Sequence, residues 1–313
     1  MREILITGGA GFIGSNIQDR LIESGDHVSI VDNFHTGNQK NINSQAQSFS
    51  VDICDAAAFS SIVEKVKPNI IIHTAGQLKI PFSMRYPFED QQINIVGTMN
   101  VMEAARKHKV EKVVFTNTGG ALYGDQPDDK LPITEDTLIL KPASFYAVSK
   151  FAAEHYIKLY GNIYDISWVS LRLSNIYGPR QDGSGECGIV AVFVRKMLQG
   201  EQPIIHGDGK NTRDYVYVDD VVDATTRAID HPTPDYFNIS SGSETSNLEI
   251  FDVVKRATGT SFEPQFGPAD PGDVLRSSLS NQKAKEQLNW VPKTNLSQGI
   301  QQTVYQYKAR LHS

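Results

Sequence analysis

The chain has 313 residues, of which 40% are hydrophobic, so it carries enough apolar material to bury a core and is not a disordered chain. At roughly 100–200 residues per domain, this length suggests about two domains, or one large α/β unit with an appendage. Lys and Arg number 30 against 36 Asp and Glu, and the net charge of −6 leaves no electrostatic footprint for nucleic acid or an anionic membrane.

In chain order, residues 3–7 read as a strand, 12–24 as a helix, 27–31 and 48–51 as strands, 56–65 as a helix and 69–73 as a strand. A long helix is expected over 88–108, a strand over 112–116, a second long helix over 144–160 and a strand over 167–173. This alternation makes βαβ units, hence a parallel, doubly wound sheet of the Rossmann type. Its ligand crevice lies at the carboxyl ends of the strands. After Tyr177-Gly178-Pro179 the rhythm breaks and Gly and Pro become frequent, which reads as a smaller mixed α/β C-terminal lobe. Residues 215–218 and 219–229 read as a further strand and helix that rejoin the sheet. The expected division is a nucleotide-binding domain of residues 1–174 plus about 213–233, and a substrate lobe of 175–212 plus about 234–313.

Cys54 and Cys187 make no disulfide framework and, without clustered histidines, no zinc site; a reducing cytoplasm is expected. No run approaches the roughly 18 apolar residues of a membrane span. The apolar Ile4-Leu5-Ile6 meets Thr7-Gly8-Gly9 at once, as a strand entering a turn does, unlike a signal peptide.

That turn runs Gly8-Gly9-Ala10-Gly11-Phe12-Ile13-Gly14, with Gly9-x-Gly11-x-x-Gly14 and Gly8-x-x-Gly11-x-x-Gly14 both present. A pyrophosphate needs backbone N–H groups with no Cβ in the way, at the positive end of a helix, and a strand followed by a helix supplies that context. Asp32 lies 18 residues after Gly14, where a carboxylate accepts from the adenosine ribose hydroxyls and repels a 2′-phosphate, favouring NAD over NADP. Asp52 closes the third strand, in position to meet the adenine amino group. In Tyr146-Ala147-Val148-Ser149-Lys150, the i, i+4 spacing puts a phenol and an ammonium on one helix face. The cation is expected to lower the phenol pKa, and a nicotinamide cation to lower it further, making Tyr146 a general base.

With these motifs in place the sequence resembles the extended short-chain dehydrogenase/reductases, and most closely their NAD-dependent nucleotide-sugar epimerase branch. The resemblance spans essentially the whole chain. It rests also on the segment from Val31 to Gly37, on His73 to Gln77, on Asn94-Ile95-Val96-Gly97-Thr98 and on Arg172 to Arg180. Gly207-Asp208-Gly209 and Thr212-Arg213-Asp214-Tyr215-Val216-Tyr217-Val218-Asp219-Asp220 extend it. It implies that NAD is held by Gly8, Gly11, Phe12, Ile13 and Gly14, by Asp32, Asn33, Thr36 and Gly37, by Asp52 and Ile53, by Thr74, Ala75, Gly76, Gln77 and Asn94, and by Tyr146 and Lys150. It implies that Tyr146 takes the proton of the sugar 4-hydroxyl and that Lys150 holds the nicotinamide ribose. Hydride passes from C4 to NAD, and the 4-keto sugar turns over in the pocket before hydride returns to its other face. The usual hydroxyl position, four residues before Tyr123, is Gly119. This sequence therefore departs from the pattern by one residue in the loop, and Thr118 is the expected third catalytic residue, with Thr116 behind it.

The resemblance also frames the reaction. Related dehydratases carry Asp-Glu where Gly119 and Gly120 stand, and related decarboxylases place a Glu in that stretch; their absence favours plain epimerisation. Asn175 is expected on the diphosphate or sugar, Arg213 and Arg276 on the phosphates, and Asp273 on the uridine ribose. Ser277 falls where a bulky Tyr limits space at sugar C2, so the N-acetylated UDP-sugars are expected substrates beside UDP-glucose and UDP-galactose. Family members pair the two long helices across a two-fold axis, so a homodimer through a four-helix bundle is expected. No metal is expected, and His35, His73 and His206 receive no catalytic role. The competing readings are a UDP-glucuronate 4-epimerase, another NAD-dependent nucleotide-sugar oxidoreductase, and a non-catalytic NAD-binding protein.

Overall fold

The fold was taken from a computed structural model, which describes residues 1–139, 142–184, 188–269 and 274–311. In the first half, strands β1 (Glu3–Thr7), β2 (His27–Asp32), β3 (Gln47–Ser50) and β4 (Ile70–His73) alternate with helices α1 (Phe12–Glu23) and α2 (Ala56–Val66). Then come α3 (Ile80–Arg85), α4 (Pro87–Gln91), one π-helical turn (Gln92–Val96), α5 (Gly97–Lys107), β5 (Lys112–Thr118), α6 (Phe145–Tyr164) and β6 (Ser167–Leu173). The second half holds β7 (Asn175–Tyr177), α7 (Ile189–Leu198), β8 (Ile204–His206), β9 (Thr212–Arg213), β10 (Tyr215–Tyr217), α8 (Val218–Asp230) and β11 (Asp235–Ile239). It closes with β12 (Thr245–Ser246), α9 (Asn247–Thr258), β13 (Gln265–Gly267), α10 (Gln282–Gln287) and α11 (Leu296–Leu311).

Seven strands form one parallel sheet in the order β11-β6-β5-β4-β1-β2-β3. Strands β1 and β4 are near-continuous Ile and Leu because helices cover both faces of a parallel sheet, and Ile4, Leu5, Ile6, Ile71 and Ile72 are fully buried. One face packs on Ile17 and Leu21 of α1 and Val221, Val222 and Ala228 of α8. The other packs on Phe59, Val63, Val101, Met102, Ala153 and Ile157 of α2, α5 and α6. The strand order reverses between β1 and β4, so their carboxyl ends open the crevice that such sheets use for ligands. The lobe has its own core, in which Val190, Phe193 and Val194 of α7 meet Ile250, Phe251 and Val254 of α9 and Ile300 and Val304 of α11.

Four expectations are corrected. Residues 215–217 do not rejoin the sheet; β10 pairs with β7 in a separate parallel ribbon. The seventh strand is β11, beside β6, although residues from 234 onward were expected in the lobe. Flanking Pro232 and Pro234 disguise β11, but its Phe237 and Ile239 are fully buried in the sheet core. The helix expected over 88–108 is one short helix, α4, followed by a π-turn and α5. Finally, β5 runs two residues past the expected end, to Thr118, and pairs with β6 throughout.

Candidate active site

The glycine turn joins β1 to α1. Gly8 has φ +70°, and a Cβ there would lie 2.7 Å from the Ala75 nitrogen; at Gly14 it would lie 2.3 Å from the Gly8 oxygen. The turn, the β4 end and the first turn of α1 therefore approach one another backbone to backbone. Thr74 ties them further, its hydroxyl donating to the Thr7 carbonyl at 2.7 Å. Gly11 is the helix N-cap, with no side-chain cap and no acidic residue in the first turn of α1. The leading N–H groups at Phe12 and Ile13 are thereby left for an anionic ligand, which suits a pyrophosphate.

Asp32 ends β2, buried, with Oδ2 accepting from the Ala10 N–H at 3.0 Å and Oδ1 from the Phe34 N–H at 2.8 Å. Each oxygen keeps a lone pair for a ribose hydroxyl. A Cβ on Gly37 would come within 2.6 Å of Asp32 Oδ1, so the loop that carries Thr36 lies against this carboxylate. Asp52 accepts from Asn33 Nδ2 and from the Cys54 N–H, both at 2.8 Å, and these contacts hold its carboxyl below the usual range despite burial. Ile53 is buried against Gly97 at the start of α5. These residues fit NAD: an open helix start for the diphosphate, and fixed carboxylates at the ends of β2 and β3.

Ser144 caps α6, its hydroxyl accepting from the Ala147 N–H at 3.2 Å, so the first turns hold Tyr146 and Lys150 in fixed positions. Lys150 is buried, donates to the Thr116 carbonyl at 2.9 Å and lies 4.1 Å above the centre of the Phe115 ring. Burial lowers its pKa to about 7, opposed by the charges of Glu154 and Asp90. Thr118, the last residue of β5, is the hydrogen-bond partner of the Tyr146 phenol. Its hydroxyl also accepts from the Ala121 N–H at 3.2 Å. Thr116 instead turns its hydroxyl to the His73 carbonyl at 3.3 Å. The expectation of a lowered Tyr146 pKa is corrected for the protein alone. Burial raises it to about 12; the Thr118 hydrogen bond lowers it, and the Asp90 charge raises it again. The Lys150 ammonium is directed to the Thr116 carbonyl, and burial of the phenol outweighs what lowers its pKa.

A shell beneath the pair was not foreseen. Glu154, one turn beyond Lys150, is buried and pairs with Arg172 of β6 at 2.5 Å, and it also accepts from Asn117 Nδ2 at 2.9 Å and from the Ser170 hydroxyl at 2.7 Å. The four-residue spacing of Tyr146, Lys150 and Glu154 was a signal for it. Asn94, in the π-turn, donates from Nδ2 to Ser149 Oγ at 3.1 Å and to the Gln77 carbonyl at 3.0 Å, and accepts at Oδ1 from the Gln77 N–H at 2.9 Å. A Cβ on Gly76 would sit 3.0 Å from Asn94 Oδ1 and 3.9 Å from the Lys150 ammonium. The expected residues of this loop are thus brought beside the Tyr146–Lys150 pair.

The lobe side is only partly assembled. Asn175 opens β7, and its Oδ1 would be 3.3 Å from a Cβ on Gly120. A Cβ on Gly119 would lie 2.4 Å from Leu279 Cδ1, leaving no room for a carboxylate there. Arg213 donates to the Thr212 carbonyl at 2.8 Å. Arg276 donates to Glu244 at 2.5 and 3.0 Å and to Asp128 at 2.6 Å, so its guanidinium is held by two carboxylates that the sequence did not mark. Ser277 is buried, and its N–H donates to the Thr212 carbonyl at 3.2 Å. Asp273 lies outside the described residues.

The family described as "NAD dependent epimerase/dehydratase family" matches residues 4–240. The UDP-glucose 4-epimerase of Mycolicibacterium smegmatis is 42% identical over 307 residues, covering 96% of both chains. Among solved structures, the UDP-glucose 4-epimerase of Thermotoga maritima with UDP-glucose superposes with a TM-score of 0.96 at 40% identity, covering 98% of this chain and 99% of that one. That of Thermus thermophilus in complex with NAD gives a TM-score of 0.92 at 38% identity, covering 97% and 98%.

Proposed function

The chain belongs to the NAD dependent epimerase/dehydratase family, and from that premise we propose that it catalyses the reversible C4 epimerisation of a UDP-sugar, with UDP-glucose and UDP-galactose as its first pair. The observation that carries this reading is the sugar-facing group set. The Tyr146 phenol meets the Thr118 hydroxyl, Lys150 lies buried one turn further along α6, and a side chain at position 119 would run into Leu279. Epimerisation needs a single base; dehydration needs two further carboxyl groups.

NAD, when bound, accepts the C4 hydride and returns it. The residues of this chain do the rest. Thr118 orients the sugar 4-hydroxyl toward Tyr146, which removes its proton as the C4–H bond breaks and restores that proton when hydride adds to the opposite face. The phenol starts with a pKa near 12, so it acts as a base once positive charge is delivered beside it. Lys150, at about 7, is poised to share that charge and to hold the nicotinamide ribose. Asn175, Arg213 and Arg276 hold the nucleotide diphosphate, Arg276 exchanging its bonds to Glu244 and Asp128 for phosphate oxygens; Asp273 holds the uridine ribose. A small, buried Ser277 leaves space at sugar C2, so we extend the reading to UDP-N-acetylglucosamine and its galacto epimer.

One group of exposed large apolar side chains lies on α3, α4 and α6: Met84, Phe88, Val148, Tyr156, Leu159 and Ile163. On α6 they recur every three, four or eight residues, on the side turned away from the sheet. Such a continuous apolar patch fits a second copy of the chain. The bundle is then built from α3, α4 and α6, because α5 exposes no large apolar side chain. No helix among the described residues is long and apolar enough to cross a membrane; a reducing cytoplasm is our assignment. Incubation with UDP-glucose, UDP-N-acetylglucosamine and UDP-glucuronate, with products read by NMR, tests the substrate reading. Conversion of UDP-glucose to its galacto epimer without added NAD turnover is expected. Conversion of the uronate alone, or of none, would overturn it, and failure of the acetylated pair alone would remove only the Ser277 argument.

A further inference from the structure

Asp90 of α4 is a buried carboxylate for which the sequence supplied no role. Its Oδ1 accepts from Gln77 Nε2 at 2.6 Å and from Asn94 Nδ2 at 3.1 Å. Its Oδ2 is equally buried and has no hydrogen-bond partner, and Asp90 forms no ion pair among the described residues. A half-satisfied buried anion is costly for a fold and is retained where something nearby uses its charge. What lies nearby is the catalytic pair. Asn94, which binds Asp90, also binds Ser149, the residue before Lys150. The π-turn that carries Asn94 interrupts the helix at this point, and such turns gather at functional sites.

We propose that Asp90 is a positioning residue for the reaction: through the Gln77–Asn94–Ser149 hydrogen bonds it fixes the helix turn bearing Tyr146 and Lys150, and its unpaired carboxylate sets the local potential in which both groups exchange protons. The proposal rests on the roles assigned above to Tyr146 and Lys150. The other groups around the pair are accounted for. Thr118 and the Thr116 carbonyl come from β5, and neutral His73 comes from β4. Glu154 comes from α6 and is paired to Arg172 of β6. Asp90 is the one carboxylate of this group without a cationic partner. Its charge disfavours phenolate at Tyr146 and favours ammonium at Lys150.

Removing that charge makes both protons easier to lose. Tyr146 and Lys150, the two groups that exchange protons, set the limbs of the kcat–pH profile, and both limbs move toward lower pH. The test compares kcat and KM across pH for the wild-type holoenzyme, D90N, D90E and Y146F. For D90N both limbs are expected to shift down by roughly one pH unit, with KM for the UDP-sugar little changed. D90E, which keeps the charge, is expected to restore the wild-type limbs. A purely structural role would lower kcat at every pH and leave the limbs in place, and that result overturns the proposal. An active Y146F would overturn the base assignment and this proposal with it. An inactive Y146F together with unmoved D90N limbs would overturn the role of Asp90 alone. If D90N does not fold, D90S, which also removes the charge, takes its place in the same comparison.

Discussion

At the scale of single residues, the site works by placing a few side chains where water cannot compete. Among the described residues no cation lowers the Tyr146 pKa, so on our reading its activation depends on charge brought to the pocket. Y146F keeps the ring and its packing and deletes only the proton acceptor. Its kcat should fall by about 10²–10⁴-fold, in line with the loss of a general base, while NAD binding read by fluorescence titration is unchanged. His73 offers a second check at this scale. It is buried and neutral, with Nδ1 bonded to the Thr7 hydroxyl at 2.7 Å and Nε2 to Thr98 at 3.0 Å, and burial first, then Lys150, lowers its pKa to about 3. In the unfolded chain it titrates near 6.5, so between pH 6.5 and 3 the unfolded state binds a proton that the folded state refuses. Stability is therefore present above 6.5 and is lost as pH falls through this window, at about 1.4 kcal/mol per pH unit. H73N should flatten the acid limb of urea-unfolding stability measured against pH.

At the scale of elements, α6 carries Tyr146 and Lys150, the two main chemical groups of our reading, on one face and an apolar stripe on the other. Its start depends on Ser144, whose hydroxyl satisfies an N–H that the helix cannot bond internally. S144A should lower stability by about 1 kcal/mol in denaturant melts and reduce kcat, because the first turn carries Tyr146. The extension of β5 to Thr118 matters in the same way. Pairing with β6 through Thr118–Leu173 keeps that residue in strand geometry, which aims its hydroxyl at the phenol. Much of this was legible in local spacing. Tyr146, Lys150 and Glu154 repeat every four residues, and the glycines of the turn stand where backbone must meet backbone. The π-turn at 92–96 was not legible, since nothing in Gln92-Ile93-Asn94-Ile95-Val96 separates it from an ordinary helix until Asn94 has Gln77, Asp90 and Ser149 to bond.

At the scale of the whole molecule, our reading gives the cofactor to the sheet and the sugar nucleotide to the lobe. Phe88, at 82% exposed, and Leu159 and Ile163 form the exposed stripe that we propose meets a second copy. The double variant L159E/I163E should sediment as a monomer where the wild type sediments as a dimer; a monomeric wild type would show that the stripe serves another purpose. Topology at this scale was the hardest to read. Tyr215-Val216-Tyr217 and Asp235-Tyr236-Phe237-Asn238-Ile239 are both short and apolar, and only the second reaches β6. Strand propensity is a property of a segment, whereas sheet membership is a property of the edge available to it. The same holds for Arg276. Its guanidinium suits phosphate by chemistry alone, but that Glu244 and Asp128 hold it depends on loops more than 30 and more than 140 residues away along the chain.

The amino-acid sequence by itself determined the alternation of strands and helices, the glycine turn, the carboxylates at the ends of β2 and β3 and the phenol–ammonium spacing on α6, because each is set by periodicity or contact within a few residues. Tertiary structure alone decided which strand closes the sheet, which of Thr116 and Thr118 meets the phenol, how strongly burial opposes ionisation of Tyr146 and Lys150, and that Asn94 links Asp90 to Ser149 beside them. Those outcomes depend on burial and on charges brought together from distant positions, and neither exists until the chain has folded.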